Sequence, residues 1–338
     1  MTSRDWFFDL MGFREDGYES TRRRLALDGD ELISTVTGKR YGIGELTLPT
    51  LAELRSRVNP IGRDRSTVSS VVGDSRALHA EPDLAGALFQ VASQFNVLEM
   101  VNEHVTPEKG VTGYAYDPTQ GPACAIAAGA ATIYRNYLVQ VGDQTGQNSD
   151  RQLDTLALLG QAFSAELRRP VRDLWNMQNG YALCSADGLR AITDLLAGAS
   201  DELRDRLRGQ LAIGLHRNVQ VTDVVAGPGQ AVSQAFCSAL PVAYTRLPAP
   251  DWELFARLVL EAAYEATLLA GAEQAGFGGS NVVLLTRVGG GAFGNAAEWI
   301  DDAIERALSI VEYAGLDIRL VSYGHVDPSS RGVADRWG

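Results

Sequence analysis

The 338-residue sequence predicts an α/β fold in which a sheet lies between helices. Strand-like and helical segments alternate through the second half of the chain, as they do when helices cover both faces of a sheet. An apolar fraction of 45% allows a substantial core. Residues 282–323 form a complete strand, helix and strand unit, which is typical of a crossover between parallel strands. We expect one main domain at residues 61–330, preceded by an N-terminal extension at residues 1–60.

The individual elements follow from hydrophobic spacing and turn residues. In the extension, an apolar helix near residues 6–13 precedes two hairpin signals, Asp28-Gly29 and Thr37-Gly38. Residues 121–139 are rich in alanine and predict one tightly packed central helix. Further strands are predicted at 66–72, 212–225, 231–244 and 318–323, and further helices at 51–58, 153–167, 187–197, 201–211 and 251–272.

The composition excludes several classes of partner. Lys and Arg number 30 against 42 Asp and Glu, which gives a formal charge of −12. Such a surface does not attract nucleic acid or anionic membranes through bulk charge, so we expect neither as a partner. The sequence has no apolar run of membrane-spanning length and begins without the apolar stretch of a secretory signal. A cytoplasmic protein is the expectation.

Cysteine and histidine give no sign of a metal site. The three cysteines are far apart and surrounded by small or apolar residues, so we interpret them as buried hydrophobic side chains. None of the four histidines forms a pair at the spacing of metal ligands. These residues therefore predict no bound metal, and no cofactor is expected. Clustered carboxylates could still bind Mg²⁺ or Ca²⁺, although none has the spacing of a dedicated ion loop.

The glycine-rich segment at residues 289–295 is the most informative part of the chain. It follows a buried strand and leads into an amphipathic helix, for which Asn295 and Glu298 predict a capping box. Glycines allow backbone N–H groups to approach a ligand, and a helix N-terminus adds further donors, so the junction favours a phosphate group. The spacing matches neither the dinucleotide fingerprint nor the Walker A loop. A tight turn without any ligand is the alternative.

Carboxylates are concentrated between residues 94 and 122. Glu99 and Asp117 are the stronger candidates because apolar or aromatic residues flank them, whereas Glu103 and Glu108 also suit a solvated connection. Two prolines and a glycine predict an irregular loop at residues 117–122. A carboxylate pair beside a sugar can stabilise an oxocarbenium-like state and activate water. Together with a phosphate loop, this pair indicates a sugar phosphate as ligand.

Three motifs, in this order along the chain, resemble those of macrodomains. Residues 93–99 and 116–122 resemble motifs of a bacterial subgroup typified by a secreted effector that removes ADP-ribose from arginine of ubiquitin. Residues 286–295, the following helix and residues 320–324 resemble the last phosphate-binding loop, helix and strand of the poly(ADP-ribose) glycohydrolase branch. The resemblance covers roughly residues 65 to 325 and implies a macrodomain-like mixed sheet sandwiched between helices.

The resemblance also implies roles for individual residues. Glu99 and Asp117 would flank the distal ribose and its leaving group, with Glu108 as a third catalytic candidate. Gly289 to Asn295 would hold the diphosphate, with the backbone N–H groups from Gly290 to Gly294 within hydrogen-bonding reach of it, and Phe293 would lie against the distal ribose. The Gln-Glu-Glu triplet of the glycohydrolase branch is absent, so cleavage of the polymer is not expected. The implied ligand-binding residues are Gln94, Phe95, Asn96, Thr119, Gln120, Gly121, Gly289, Gly290, Gly291, Ala292, Phe293, Gly294, Asn295 and Tyr323.

The predicted function is that of an ADP-ribosylhydrolase. It would bind ADP-ribose and cleave the N-glycosidic bond to arginine of an ADP-ribosylated protein, because carboxylates suit a guanidinium. A reader module that binds ADP-ribose or ADP-ribosylated protein without cleaving it is the main alternative. A third possibility is an enzyme that acts on a free nucleotide sugar or on nucleic-acid-linked ADP-ribose.

Overall fold

A computed structural model describes residues 5–59, 62, 64–223 and 229–338. Its strands are β1 (Leu25–Asp28), β2 (Glu31–Ser34), β3 (Arg40–Gly42), β4 (Glu45–Thr47), β5 (Thr67–Val72), β6 (Leu88–Ala92), β7 (Gln140–Val141), β8 (Gln144–Thr145), β9 (Trp175–Gln178), β10 (Tyr181–Cys184), β11 (Gly214–Gln220), β12 (Ala231–Cys237), β13 (Val282–Leu285) and β14 (Asp317–Ser322). Its helices are α1 (Trp6–Met11), α2 (Tyr18–Arg22), α3 (Leu51–Arg57), α4 (Ser75–Leu78), α5 (Gln120–Ala127), α6 (Gly129–Tyr137), α7 (Ala157–Leu167), α8 (Val171–Leu174), α9 (Ala186–Gly198), α10 (Asp201–Gly209), α11 (Ala249–Gly276), α12 (Ala297–Ile310) and α13 (Pro328–Trp337).

A seven-stranded mixed sheet forms the centre of the molecule, in the order β4-β11-β12-β6-β13-β14-β5. The five strands from β12 to β5 are parallel, and β11 runs antiparallel to both of its neighbours. Strands β13 and β14 are adjacent and parallel with α12 between them in the chain, which confirms the predicted crossover. The carboxyl ends of the parallel strands therefore lie at one edge of the sheet.

Helices cover both faces of this sheet, and the alternating side chains of its strands pack into different hydrophobic clusters on the two faces. Leu88 on β6 belongs to the large core that contains α11 and α12, whereas the next residue, Phe89, packs with Ala128 and Ala131 beside α5 and α6. Successive side chains of a strand point to opposite faces. An α/β fold with a mixed sheet between helices is thus confirmed.

Three predicted elements need correction. The strand predicted at 231–244 ends at Cys237, and Val242–Tyr244 form a 3₁₀ helix instead. The Ala-rich segment is not one helix, since it breaks at Ala128 into α5 and α6. The predicted irregular loop ends earlier than expected, because Gln120, Gly121 and Pro122 form the first turn of α5. Proline is tolerated there because the first N–H groups of a helix have no partner within the helix.

The N-terminal residues form a small three-stranded sheet, β1-β2-β3, and also contribute β4 to the edge of the main sheet. Trp6 and Leu10 pack against Gly129 at the start of α6. The division at residues 60 and 61 stays a prediction, and those two residues lie outside the described part, as do residues 224–228 between β11 and β12.

Away from the strand ends, a buried carboxylate ties three helices together. Glu265 on α11 is 2% exposed and accepts hydrogen bonds from Arg55 on α3 at 2.5 and 2.8 Å. Arg306 on α12 approaches the same carboxylate at 2.5 Å. Two guanidinium groups thereby compensate the burial of one negative charge.

Candidate active site

A cavity of about 190 Å³, called the main cleft below, lies at the carboxyl ends of the parallel strands β6, β12 and β13. Ligands of open α/β sheets commonly bind at this position, because the loops that follow the strands converge there. The predicted site residues that line it come from both regions singled out in the sequence. They are Gln94, Glu99, Asp117, Thr119, Gln120, Gly121, Gly289, Gly291, Ala292 and Phe293.

The glycine-rich loop presents three consecutive N–H groups. Those of Gly290, Gly294 and Asn295 donate to carbonyls within residues 287–291, so the two end amides of the predicted phosphate site are occupied. Among the described residues, the N–H groups of residues 291–293 have no hydrogen-bond partner. Successive N–H groups in a turn form a concave anion site. The loop can therefore offer three donors from its tip.

Glycine is required at the start of this loop. Gly289 has a φ of +79°, and a Cβ built on it would lie 2.4 Å from the Cβ of Ala239. The buried hydroxyl of Tyr264 holds the preceding backbone, since it donates to the carbonyl of Thr286 and accepts from the N–H of Val288. The bend after β13 is thus fixed by α11.

The predicted capping box at Asn295 and Glu298 is wrong. Helix α12 has Ala296 at its N-cap, with no side-chain hydrogen bond. The buried NH₂ group of Asn295 instead donates to the carbonyls of Leu240 and Gly289, which closes the loop, and its side-chain oxygen accepts no hydrogen bond from the described residues. Helix α12 begins at Ala297, which is not among the residues that line the main cleft.

Three aromatic rings form one wall of the main cleft. The ring of Phe293 lies 5.3 Å from that of Tyr181 and 5.4 Å from that of Tyr244, centroid to centroid. Tyr181 and Tyr244 are themselves 5.1 Å apart. Such a cluster offers a rigid apolar surface to a sugar or base. Neither tyrosine was predicted as a site residue. Tyr181 begins β10 and Tyr244 ends the 3₁₀ helix Val242–Tyr244, and no local sequence motif marks either element as part of a site.

Glu99 is the buried carboxylate of the main cleft. It is 2% exposed; one oxygen lies 3.3 Å from the Nη2 of Arg135, and the other, also buried, has no partner among the described residues. Burial raises the pKa of Glu99 to about 7, although Arg135 acts in the opposite direction. A carboxylate with a free oxygen and a near-neutral pKa is suited to proton transfer.

Arg135 on α6 lies behind Glu99 and is completely buried. Its Nε donates to the carbonyl of Val97, and its guanidinium stacks at 4.0 Å over the ring of Phe236. His216 lies 3.5 Å away, and burial followed by the charge of Arg135 lowers the pKa of His216 well below its usual value. The histidine is therefore neutral, and the guanidinium is the cation that faces Glu99. Sequence spacing gave no signal for this contact.

Asp117 lies at the cleft in a half-buried position, where its carboxylate accepts from the N–H of Thr119. Gln120 has a structural task, since its amide bonds the backbone of Gln90 and Ala92 on β6. Gly121 permits this contact, because a Cβ there would lie 2.0 Å from the carbonyl oxygen of Ala92. The start of α5 is thereby held against β6 beside Glu99.

The remaining predicted site residues do not line the main cleft. Phe95 is buried in the large core, and the amide of Asn96 is occupied by Gln152 and by the N–H of Leu98. Glu108 accepts from the N–H and hydroxyl of Ser149. The others outside the lining are Gly290, Gly294, Asn295 and Tyr323.

For Glu108, burial acts to raise the pKa, but the hydrogen bonds from Ser149, from Thr106 and from its own backbone N–H together outweigh it and lower the pKa of the carboxyl. Glu108 is thus held as an ionised acceptor away from the main cleft. Its position does not suit direct contact with a ligand in that cleft.

A second cavity adjoins the main cleft. The two share Asp117, Thr119, Gln120 and Thr286 in their linings. The second cavity, of about 490 Å³, extends past the carboxyl end of β14, where Tyr323 is 79% exposed. A ligand longer than a monosaccharide can therefore lie across several strand ends.

The described residues contain neither a side-chain cluster that could hold a metal ion nor a helix that could cross a membrane. No group of three or more His, Cys, Asp or Glu side chains in them is arranged to hold a metal ion. None of the helices found there combines the length and the apolar character that crossing a membrane requires.

Comparisons with known proteins gave matches to solved structures alone. No protein-family model matches the chain, and no curated protein matches it. A poly(ADP-ribose) glycohydrolase T267R mutant from Deinococcus radiodurans, in complex with ADP-ribose, is 13% identical with a TM-score of 0.45, covering 96% of this chain and 98% of that one. The poly(ADP-ribose) glycohydrolase from Thermomonospora curvata is 13% identical with a TM-score of 0.43, covering 95% and 96%. Values this low do not assign an activity to this chain.

Proposed function

We propose that this protein binds ADP-ribose and hydrolyses the N-glycosidic bond that joins it to a protein arginine. The observation that carries the proposal is the shared lining of the main cleft, in which the glycine-rich loop meets Glu99 and Asp117. An anion held by the loop brings its attached sugar to the carboxylates.

The diphosphate is assigned to the tip of the glycine-rich loop. The unpaired N–H groups of residues 291–293 supply donors for its oxygens, and Phe293 with Tyr181 and Tyr244 offers a wall for the distal ribose. The nucleoside end extends into the second cavity towards Tyr323. Anchoring remote from the reacting bond orients the substrate and lowers the entropic part of the barrier.

The two carboxylates have different tasks in this proposal. Glu99 accepts a proton from water through its free oxygen as the water oxygen bonds to the anomeric carbon and the bond to the guanidine nitrogen breaks. The released nitrogen takes up the proton that Glu99 accepted from water, so that arginine leaves as a guanidinium and Glu99 returns to its carboxylate form. Asp117, which is less buried and adjoins the main cleft, binds the planar guanidinium.

Support for an arginine linkage comes from charge. Asp117 lines the main cleft, and both it and Glu103 are close enough to Tyr181 and Tyr244 to raise their pKa values, after the larger effect of burial. The lining of the main cleft thus combines the Asp117 carboxylate with the rings of Tyr181 and Tyr244, which suits a cation. The absence of a Gln-Glu-Glu triplet remains the sequence argument against polymer cleavage.

The deciding experiment compares Asp117→Ala with the unmodified chain. Release of ADP-ribose from an arginine-modified protein should fall by about a hundredfold or more, the loss typical of removing a positioning or acid–base group. The dissociation constant for free ADP-ribose, measured by calorimetry, should change by less than about threefold because the diphosphate loop is intact. Equal release by the variant would overturn the role of Asp117.

The same assay separates the hydrolase from a reader. A reader binds ADP-ribose but releases nothing from the modified protein at any pH. Proteins modified at serine or glutamate serve as matched substrates that test the linkage. Release from these and not from arginine would contradict the arginine assignment while leaving hydrolysis intact.

A further inference from the structure

A carboxylate from the N-terminal segment holds the loop that leads to the main cleft. One oxygen of Glu15 accepts from the N–H of Val111 and from the hydroxyl of Tyr137, both at 2.8 Å. The other oxygen accepts from the N–H of Thr112 at 2.7 Å. A Cβ on Gly110 would lie 2.3 Å from the carboxyl carbon of Glu15, so the loop is packed directly against it.

Glu15 has no cation as partner within the described residues. Its negative charge is instead directed entirely at N–H and O–H donors. Charge-assisted hydrogen bonds of this kind are about twice as strong as neutral ones. A carboxylate that binds two consecutive backbone N–H groups also fixes the direction of the chain at that point.

The two elements that Glu15 joins are those that hold Glu99. Val111 and Thr112 lead into the 3₁₀ helix Thr112–Tyr116, whose Tyr114 hydroxyl accepts from the N–H of Glu99 at 3.1 Å. Tyr137 lies on α6, the helix that carries Arg135. Glu99 is thus held from one side through Tyr114 and from the other through Arg135.

Asp117 depends on the same loop. It is the residue directly after the 3₁₀ helix Thr112–Tyr116, and its N–H donates to the carbonyl of Tyr114 at 3.2 Å. A shift of residues 110–112 would therefore be transmitted to both carboxylates of the main cleft. Among the described residues, the hydrogen bonds of the Glu15 carboxylate reach Val111, Thr112 and Tyr137 and none reaches the glycine-rich loop at residues 289–295, so we do not expect that loop to move with it.

We infer that Glu15 is a positioning residue of the active site, by which the N-terminal segment fixes the loop carrying Tyr114 and Asp117 relative to α6 and Glu99. This inference rests on the proposed hydrolase function. It gives the first 60 residues a task in the reaction that goes beyond packing.

The test uses the full chain with the substitutions Glu15→Gln, Glu15→Ala and Tyr137→Phe. Glutamine keeps the size of the side chain but places an NH₂ group against an N–H donor, whereas phenylalanine removes only the link to α6. Glu19→Gln is the matched control, since Glu19 is an exposed carboxylate of the same segment whose one ion pair within the described residues is with Arg22. Circular dichroism and thermal unfolding check that each variant folds.

The expected result is a split between turnover and binding. In Glu15→Gln, kcat on the arginine-modified protein should fall about tenfold or more, because small misplacements of catalytic groups cost this much. The dissociation constant for ADP-ribose should stay within about twofold, and Glu19→Gln should match the unmodified chain. Unchanged kcat in Glu15→Gln, or an equal loss of kcat and ADP-ribose affinity, would overturn the inference.

Hydrogen exchange distinguishes failure of this inference from failure of the proposed function. In Glu15→Gln and Tyr137→Phe, exchange should accelerate at the amides of Thr112 and Glu99 and remain unchanged around Gly291. If the unmodified chain releases no ADP-ribose, the hydrolase proposal fails, yet faster exchange would still support Glu15 as the residue that holds the loop. Unchanged exchange at both amides would reject that role.

Discussion

The substitution Glu99→Gln tests the electrostatics of the main cleft most directly. In the unfolded chain this carboxyl loses its proton near its usual pKa of 4.5, whereas in the folded protein burial raises the pKa to about 7. Between these two values the folded state binds a proton that the unfolded state has lost. Stability contributed by this residue therefore falls as pH rises from 4.5 to 7.

The size of the effect follows from the two pKa values. A difference between 4.5 and about 7, at about 1.4 kcal/mol for each pH unit, gives about 3 kcal/mol. Glutamine has the shape of the protonated carboxyl and does not ionise. The variant should therefore match the unmodified protein within about 1 kcal/mol at pH 5 and exceed its free energy of unfolding by about 3 kcal/mol at pH 8.

Urea unfolding of both proteins at pH 5, 6, 7 and 8 measures this difference, in which the contributions of all other titrating groups cancel. The variant should also lose turnover at every pH, so that at pH 8 the same substitution raises the free energy of unfolding and removes activity. Attraction between Glu99 and Arg135 that exceeded the cost of burial would give the opposite sign, with the variant less stable at pH 8. That outcome would refute the assignment of Glu99 as a base with a near-neutral pKa.

Three further substitutions probe the loop, the aromatic wall and the distant core. Gly289→Ala should lower the free energy of unfolding by about 1 to 3 kcal/mol, because residue 289 has a positive φ and the added Cβ would clash with Ala239. Gly291→Ala should change it by less than about 0.5 kcal/mol, since no atom lies within 4 Å of the added Cβ. Thermal unfolding of the two variants measures this difference. Phe293→Ala should weaken ADP-ribose binding about tenfold in calorimetry through loss of its two ring contacts, and unchanged affinity would exclude the ring from the binding surface. Glu265→Gln should lower the free energy of unfolding in urea by about 3 to 5 kcal/mol, because two guanidinium groups lose their buried partner. The affinity for ADP-ribose should stay the same. A parallel loss of affinity would show that the effect is not confined to the core.

Several features of the site could be predicted because they are encoded locally. The apolar runs of β13 and β14 and the spacing of α12 give the crossover, and the glycines between them mark the loop. The flanking of Glu99 by apolar residues anticipated its burial. Asparagine is a residue type that commonly caps helices, but the side chain of Asn295 donates to the carbonyl of Leu240 instead. No residue near Asn295 in the sequence predicts that contact.

The sequence by itself determined the α/β class, the order of the main strands and helices, and the two segments that meet at the main cleft. These properties follow from periodicity and turn residues, which are read within a few neighbouring positions. Only the tertiary structure decided which side chains control the carboxylates. Arg135 reaches Glu99 across 36 positions and Glu15 reaches Val111 across 96, and contacts between positions so far apart leave no pattern in the sequence around either partner.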